Sequence, residues 1–298
     1  MNAMLSRKSK GDVLFDVINY TLLTIGLLLI LYPLYFVLIA SISDPNRIYS
    51  GDIWLFPQGI TLDGYQRILN DAMIWTGYGN SILYAATGTA ISVTLTLMAA
   101  YPLARKDFVG RNLFMWFFMF TMFFNGGLIP TYLLVKDLGM VNTIWALVVP
   151  GAAGVFNIII VRTFFQSTIP DEMREAAFMD GCSNTKFFLA IVIPLSQPII
   201  AVMVLFHVVA FWNGFFDALI YLNEEAKYPL QLVLRNILVQ NQVNANMMVD
   251  VESYAAKLRV TELIKYGVII VSSLPLLILY PFLQRYFVKG VMIGSIKG

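Results

Sequence analysis

Six stretches of this chain are apolar over the length needed to cross hydrocarbon, which is about 20 residues. They run roughly from Leu14 to Ser43, Asn80 to Ala104, Leu113 to Val135, Asn142 to Phe165, Phe187 to Leu222 and Leu263 to Tyr286. Each is predicted to be a membrane-spanning helix. Pro194 and Pro198 are placed to bend the fifth. In the third, Asn125-Gly126-Gly127 followed by Pro130 weakens helix continuity. A break at membrane depth is tolerated beside a water-filled path, as in a gate. The same small residues also serve as a packing notch for a neighbouring helix.

The polar intervals are uneven. Asp44 to Gly79 holds Pro45, Pro57 and several glycines, and is predicted to be largely irregular. Asn223 to Glu262 is longer than an ordinary connection. Within it Leu230, Val233, Leu234, Ile237 and Leu238 fall at helical spacing. They predict an amphipathic helix on the outer face, or one packed on the bundle. The interval between the fourth and fifth runs is short and polar. There Pro170 suits the first turn of a helix, Asp171 and Glu172 complement its N-terminal dipole, and Gly181 supplies a stop. A helix of about three turns is expected, since its ten or so residues at 3.6 per turn reach that length.

Composition agrees with a membrane protein. The chain has 298 residues, 58% of them hydrophobic and 13% charged, and its mean hydropathy is +0.72. A soluble domain carries about 25% charged residues. A net charge of +2 gives no reason to expect a nucleic-acid partner. Cys182 is the single cysteine, so no disulfide can form within the chain. No small-residue cleavage site follows the first apolar run, which reads as a retained helix rather than a signal peptide. Basic residues set the orientation. Arg7, Lys8 and Lys10, then Arg105, Lys106 and Arg111, then Arg162, Arg174 and Lys186, then Arg285, Lys289 and Lys297 fall on one side. They outnumber the dispersed set from Arg47 to Lys265 on the other. Both termini and the segment 170–182 are therefore expected in the cytoplasm.

The chain offers little chemistry of its own. It has no Gly-rich phosphate loop of the Walker type and one histidine, His207, without partners for a metal site or an acid/base pair. Polar groups inside a span are costly and face protein or water. Trp212, Asn213, Phe215 and Phe216, with Asp217 beside them, suit a sugar path, since aromatic faces stack on pyranose rings and amides bond hydroxyls; the alternative is an interhelical hydrogen-bond network. A stand-alone secondary transporter would show inverted repeats and ionisable couplers within the membrane. No repeat is visible, and only Asp217 and His207 approach the second requirement.

One segment carries a specific signature. Glu175-Ala176-Ala177, then Asp180-Gly181, then Ile193-Pro194-Leu195 and Pro198, placed between the fourth and fifth spans, resembles the EAA loop of ABC importer permeases. The stretches from Ala100 to Arg111, Gly126-Gly127-Leu128-Ile129-Pro130-Thr131-Tyr132, Asn80-Ser81, Trp212-Asn213 and the tail from Gln284 extend the likeness over nearly the whole chain. Together they resemble carbohydrate-uptake permeases related to the second membrane subunit of the maltose importer. The Gly-Gly-Leu-Ile-Pro-Thr-Tyr stretch is similar to the subgroup handling complex oligosaccharides such as alginate or pectin fragments.

The resemblance implies an all-α integral membrane protein of the type I ABC importer permease fold. Residues 1–298 would form one permease domain with six transmembrane helices, a cytoplasmic coupling helix at 170–182 and an outer loop at 223–262. It would be a non-catalytic subunit in a bacterial cytoplasmic membrane. Arg174, Glu175, Ala176, Ala177, Asp180 and Gly181 would dock on an ATPase dimer. ATP and Mg would sit on that partner, and this chain would bind no cofactor. Asn125, Trp212, Asn213, Phe216 and Asp217 are candidates for the substrate path. Val243, Asn244, Asn246, Asp250 and Glu252 are candidates for touching an extracytoplasmic sugar-binding protein or lipoprotein. The remaining partners would be a second related permease, an oligosaccharide and the lipid bilayer. The tail from Lys289 to Gly298 would reach toward the ATPase pair. A permease for another small solute remains the alternative.

Overall fold

The computed structural model describes residues 9–246 and 264–281, and every regular element among them is helical. The described residues divide into two compact units, one from 9–70 with 238–246 and 264–271, the other from 71–237 with 272–281.

In the first unit, α1 (Lys10–Ser41) opens on a capping box, with Ser9 Oγ accepting from the Asp12 amide and Asp12 Oδ2 accepting from that of Ser9. The segment after α1 is more ordered than its prolines and glycines suggest. Asp44 caps α2 (Pro45–Tyr49), and α3 (Asp63–Asn70) buries Ile68. Pro45 stands at the first position of a helix, where a missing amide hydrogen costs nothing, so it starts structure here.

The second unit is organised by α4 (Ala72–Ala104), which packs along α12 (Gln197–Asn213) and α8 (Val155–Thr168). The expected third span is two helices, α5 (Arg111–Phe123) and α6 (Leu128–Asp137), meeting at 113°. Gly127 takes a φ of +83° at the corner, a conformation open to glycine. Among the described residues a Cβ built at Gly126 would meet only the neighbouring Pro130, and one built at Gly127 would meet nothing within 4 Å. The expected fourth span is also interrupted. Pro150, Gly151 and Gly154 separate α7 (Trp145–Val148) from α8, whose 14 residues give a helix of about 21 Å, short of hydrocarbon thickness.

The fifth run bends as its prolines require. A short π turn at Phe188–Val192 joins α10 (Asn184–Phe187) to α11 (Ile193–Leu195), and the axis turns by 79° before α12. α13 (Phe216–Tyr221) and one turn of 3-10 helix at Glu225–Lys227 lead to α14 (Leu230–Asn246). The start of α14 lies inside the unit. Leu230, Leu232, Val233 and Leu234 are buried, the Leu230 amide donates to Ser81 Oγ at 2.8 Å, and Gly77 of α4 leaves room for the Leu230 backbone. Of the two readings of this helix, packing on the bundle holds. The last described helix is α15 (Ile264–Pro281). Among the described residues α1, α4 and α15 are each long and apolar enough to cross a membrane, and the two bent pairs raise that number to five.

Candidate functional site

The helix expected around the Glu-Ala-Ala segment is α9 (Asp171–Met179). Pro170 stands at its N-cap and both acidic residues fall in the first turn. Its C-terminus is a Schellman motif: the Cys182 amide donates to Ala177 O at 2.9 Å and the Gly181 amide to Phe178 O at 3.0 Å. Gly181 takes a φ of +75°, as that motif favours. The helix is two-faced. Ala177 and Phe178 pack against the core formed by α4, α8 and α10, whereas Glu172, Glu175, Ala176 and Met179 are exposed along one face. Met179 is 89% exposed. Asp180 and Gly181, just beyond the helix, are exposed as well.

Arg174 departs from expectation. Its side chain is only 14% exposed and pairs with Asp107 of its own chain rather than standing free for a partner. Asp107 lies in the turn between α4 and α5 and also accepts from Arg105, at 3.0 Å from Nε and 2.5 Å from Nη2. The hydrogen bonds from Arg105 first, and then from Arg174, hold the Asp107 carboxyl well below the usual carboxylate range. A lowered carboxylate pKa favours the paired state above the unfolded value of about 3.9, and the benefit is lost only as pH falls through the lowered pKa. These pairs therefore stay intact through the neutral range. Beside them Lys106 Nζ meets Asp171 Oδ2 at 2.8 Å, and Arg105 Nη1 donates to Asn184 Oδ1 at 2.5 Å. Behind α9 is a cavity of about 280 Å³ lined by Tyr101, Arg105, Phe165, Gln166, Ile169, Arg174 and Phe187, among others.

The candidate path residues separate. Trp212 is 3% exposed, donates from Nε1 to Ser272 O at 2.9 Å and packs on Tyr78 with ring centroids 5.8 Å apart. It serves the interhelical network and offers no free face to a sugar. Asn213, Phe216 and Asp217 are exposed. Asp217 shares a cavity of about 200 Å³ with His207, Tyr84 and Phe211. His207 Nε2 lies 3.2 Å from Asn157 Nδ2. Asn125 stands at the α5–α6 corner, its Oδ1 accepting from the Gly127 amide at 3.0 Å, and lines neither cavity. Among the described residues no group of His, Cys, Asp and Glu could hold a metal ion.

Val243, Asn244 and Asn246 fall in the last turns of α14, while Asp250 and Glu252 lie outside the described residues. So do Arg7, Lys8, Arg285 and the tail from Lys289 to Gly298.

Sequence reasoning missed a set of ties at the opposite end of α4. Asn80 Nδ2 donates to Ala226 O and Tyr228 O, and Tyr84 Oη to Lys227 O. Asn142 holds the same loop from the other side, through Glu224 at 2.5 Å and the Asn223 amide at 3.2 Å, and takes a φ of +62°. The one signal was the familiar Asn80-Ser81 pair, whose role depends on residues nearly 150 positions away.

The model of a family described as binding-protein-dependent transport system inner membrane component matches residues 92–293. The chain belongs to this family. Protein LplC of Bacillus subtilis (strain 168) is 40% identical over 291 residues, 97% of each chain. The polygalacturonan/rhamnogalacturonan transport system permease protein YtcP of the same organism is 39% identical, over 96% of this chain and 99% of its own. A solved bacterial ABC transporter involved in the import of the acidic polysaccharide alginate contains a chain that superposes with a TM-score of 0.83 at 34% identity, covering 94% of this chain and 99% of that one. The protein is a non-catalytic, integral membrane permease subunit of an ABC importer, with the all-helical type I fold.

Proposed function

We propose that this permease imports oligosaccharides derived from complex, acidic polysaccharides. The reading follows the polygalacturonan/rhamnogalacturonan permease and the alginate importer, which resemble it over nearly its full length. The chain forms one permease domain of six spans, with the two bent pairs and the interrupted 142–165 region each counted as one. Both termini and the segment 170–182 face the cytoplasm, and 223–262 faces outward toward a binding protein touched by Val243 to Glu252. A second permease completes the path. This chain binds no cofactor, and ATP with Mg sits on an ATPase dimer.

The observation that carries the mechanism is the free face of α9. Glu172, Glu175, Ala176 and Met179 stand outward on a helix whose other face is held to its own chain. A small residue such as Ala176 lets the helix sink into a cleft, Glu175 fixes its direction, and Asp180 with Gly181 closes the turn. Closure of the ATPase dimer then moves α9, and the path switches from inward-open to outward-open. Asn213, Phe216, Asp217 and Asn125 are the path candidates in this chain.

Replacing Glu175 with Lys is expected to lower uptake of short oligogalacturonides more than about tenfold, the size of effect given by losing one charge-assisted contact, and replacing Gly181 with Val is expected to lower it too, by straining the left-handed turn that ends α9. Membrane levels of the subunit should not change. Normal uptake by both variants at matched expression would overturn docking through α9. Failure of the unmodified assembly to take up oligogalacturonides, with normal assembly on the ATPase, would overturn the substrate class alone.

A further inference from the structure

We infer that the α4–α5 turn is a clamp that makes α9 move as one piece with α4, and that Asp107 is its positioning residue. The inference rests on the reading of α9 as the docking helix.

Apolar packing alone holds α9 loosely. No residue of the helix is fully buried. Ala177 and Phe178 are its partly buried contacts with the core, and the cavity of about 280 Å³ leaves slack behind it. A helix seated this way would yield when a partner pushes on its outer face. Three polar ties remove that slack. Lys106 takes Asp171 at the start of α9, Asp107 takes Arg174 one turn on, and Arg105 takes Asn184 at the start of the following helix α10. Two of these ties hold α9 itself, about one turn apart, and the third holds the start of α10 beyond it.

The strength of these ties argues that they serve geometry. An exposed ion pair contributes roughly 0–1 kcal/mol, and Lys106 is 80% exposed. The Asp107 carboxylate differs, because it bridges two guanidinium groups and so fixes their directions. The turn is anchored in its own right. Leu103 O in the last turn of α4 accepts from Arg162 Nε of α8 at 2.9 Å. A displacement of α9 is thereby delivered to α4 and α8 together.

The test uses the assembled importer with its ATPase in nanodiscs, with Cys182→Ser as background. Spin labels go on Met173→Cys, on the flank of α9 away from the docking face, and Val109→Cys, which is 91% exposed in the turn. In the wild-type sequence the distance between labels should stay within about 1 Å between the nucleotide-free and the ATP–vanadate-trapped states, since a rigid unit shows no relative shift of the 1–2 Å size typical of sliding helices. Asp107→Asn should shift or broaden it by more than about 2 Å on trapping, Asp107→Glu should restore it, and Lys106→Met should have a smaller effect. A wild-type distance that changes on trapping, or an Asp107→Asn distance that does not, overturns the clamp. Cross-linking from Glu175→Cys to the ATPase in the same preparation separates the two ideas. Its absence overturns the docking reading, whereas cross-linking with an unmoved Asp107→Asn pair overturns the clamp alone.

Discussion

Two helices of nearly equal length, α1 with 32 residues and α4 with 33, behave in opposite ways. α1 is the more apolar, yet it buries only Ile39, Ala40 and Ser41 at its end. α4 is less apolar and buries a stripe along its whole length: Gly77, Ser81, Ala85, Gly88, Ser92, Thr96 and Ala100, with Ile74, Tyr84, Val93, Leu97 and Leu103 beside them. In water the order would be reversed. In a membrane, lipid tails are as apolar as leucine, so hydrophobicity does not drive helices together, and close packing through small residues does. Small residues at every third or fourth position, and not the height of the apolar peak, mark the helix that organises the second unit.

The sharpest way to break this comparison is to fill the notch at Gly77. A Cβ there would stand 3.0 Å from Leu230 Cα and 3.2 Å from its amide nitrogen. Backbone atoms cannot rotate aside as a side chain does. Gly77→Val should push the start of α14 off α4 and break the bond from the Leu230 amide to Ser81 Oγ, a group only 1% exposed. Overpacking costs about 1–3 kcal/mol, and an orphaned buried donor adds about 1–3 kcal/mol. The purified assembly should unfold at clearly lower temperature and import poorly. Wild-type thermal stability would show that α14 is not seated through this contact. At Gly88 the neighbour is instead the Phe211 ring, at 2.5 Å from a built Cβ, and that ring borders the cavity shared by His207 and Asp217.

The same contrast explains what the sequence made legible. Local signals read well. The ends of α9 follow from Pro170 and Gly181, and the bend of the fifth run from Pro194 and Pro198. Averages over a window read badly. The run from Leu113 to Val135 is apolar throughout, so it passes for one span, although Gly126 and Gly127 turn it by 113°. Pairings distant in sequence could not be read at all. Arg174 looks like a free docking charge until Asp107, 67 positions earlier, is seen to claim it. Trp212 looks like a sugar platform until Ser272 O and Tyr78 occupy it. Whether Leu230 lies on the surface or in the interior is decided by Gly77 and Ser81 in a different helix.

A milder test separates size from polarity in the α4 stripe. The hydroxyls of Thr89, Ser92 and Thr96 are buried without a hydrogen-bond partner among the described residues. If the stripe works through close fit, the Thr96 hydroxyl is dispensable while its volume is not. Thr96→Val, which keeps the shape, should leave stability within about 1 kcal/mol of wild type, since removing an unpaired buried polar group can be neutral or favourable. Thr96→Leu should destabilise by about 1–3 kcal/mol through overpacking. Thermal unfolding of the two variants side by side is sufficient, and equal loss in both would assign the hydroxyl a bonding role.

The smallest effect belongs to α1. Leu29 and Ile30 are 70% and 69% exposed in the middle of that helix, so truncating either removes no packed neighbour and opens no cavity. The usual cost of about 2–5 kcal/mol for Leu→Ala in a core arises from lost transfer energy plus an unfilled hole, and neither term applies where the side chain already faces outward. Leu29→Ala should change the unfolding temperature of the purified permease no more than an ordinary surface substitution, within about 0.5 kcal/mol. The helix also stays apolar enough to span, because one alanine among so many leucines and isoleucines barely alters its transfer energy. A loss as large as that of Gly77→Val would mean that this face of α1 packs as tightly as the α4 stripe. The rule that small residues rather than apolar bulk mark the packed helices of this permease would then fail at its first test.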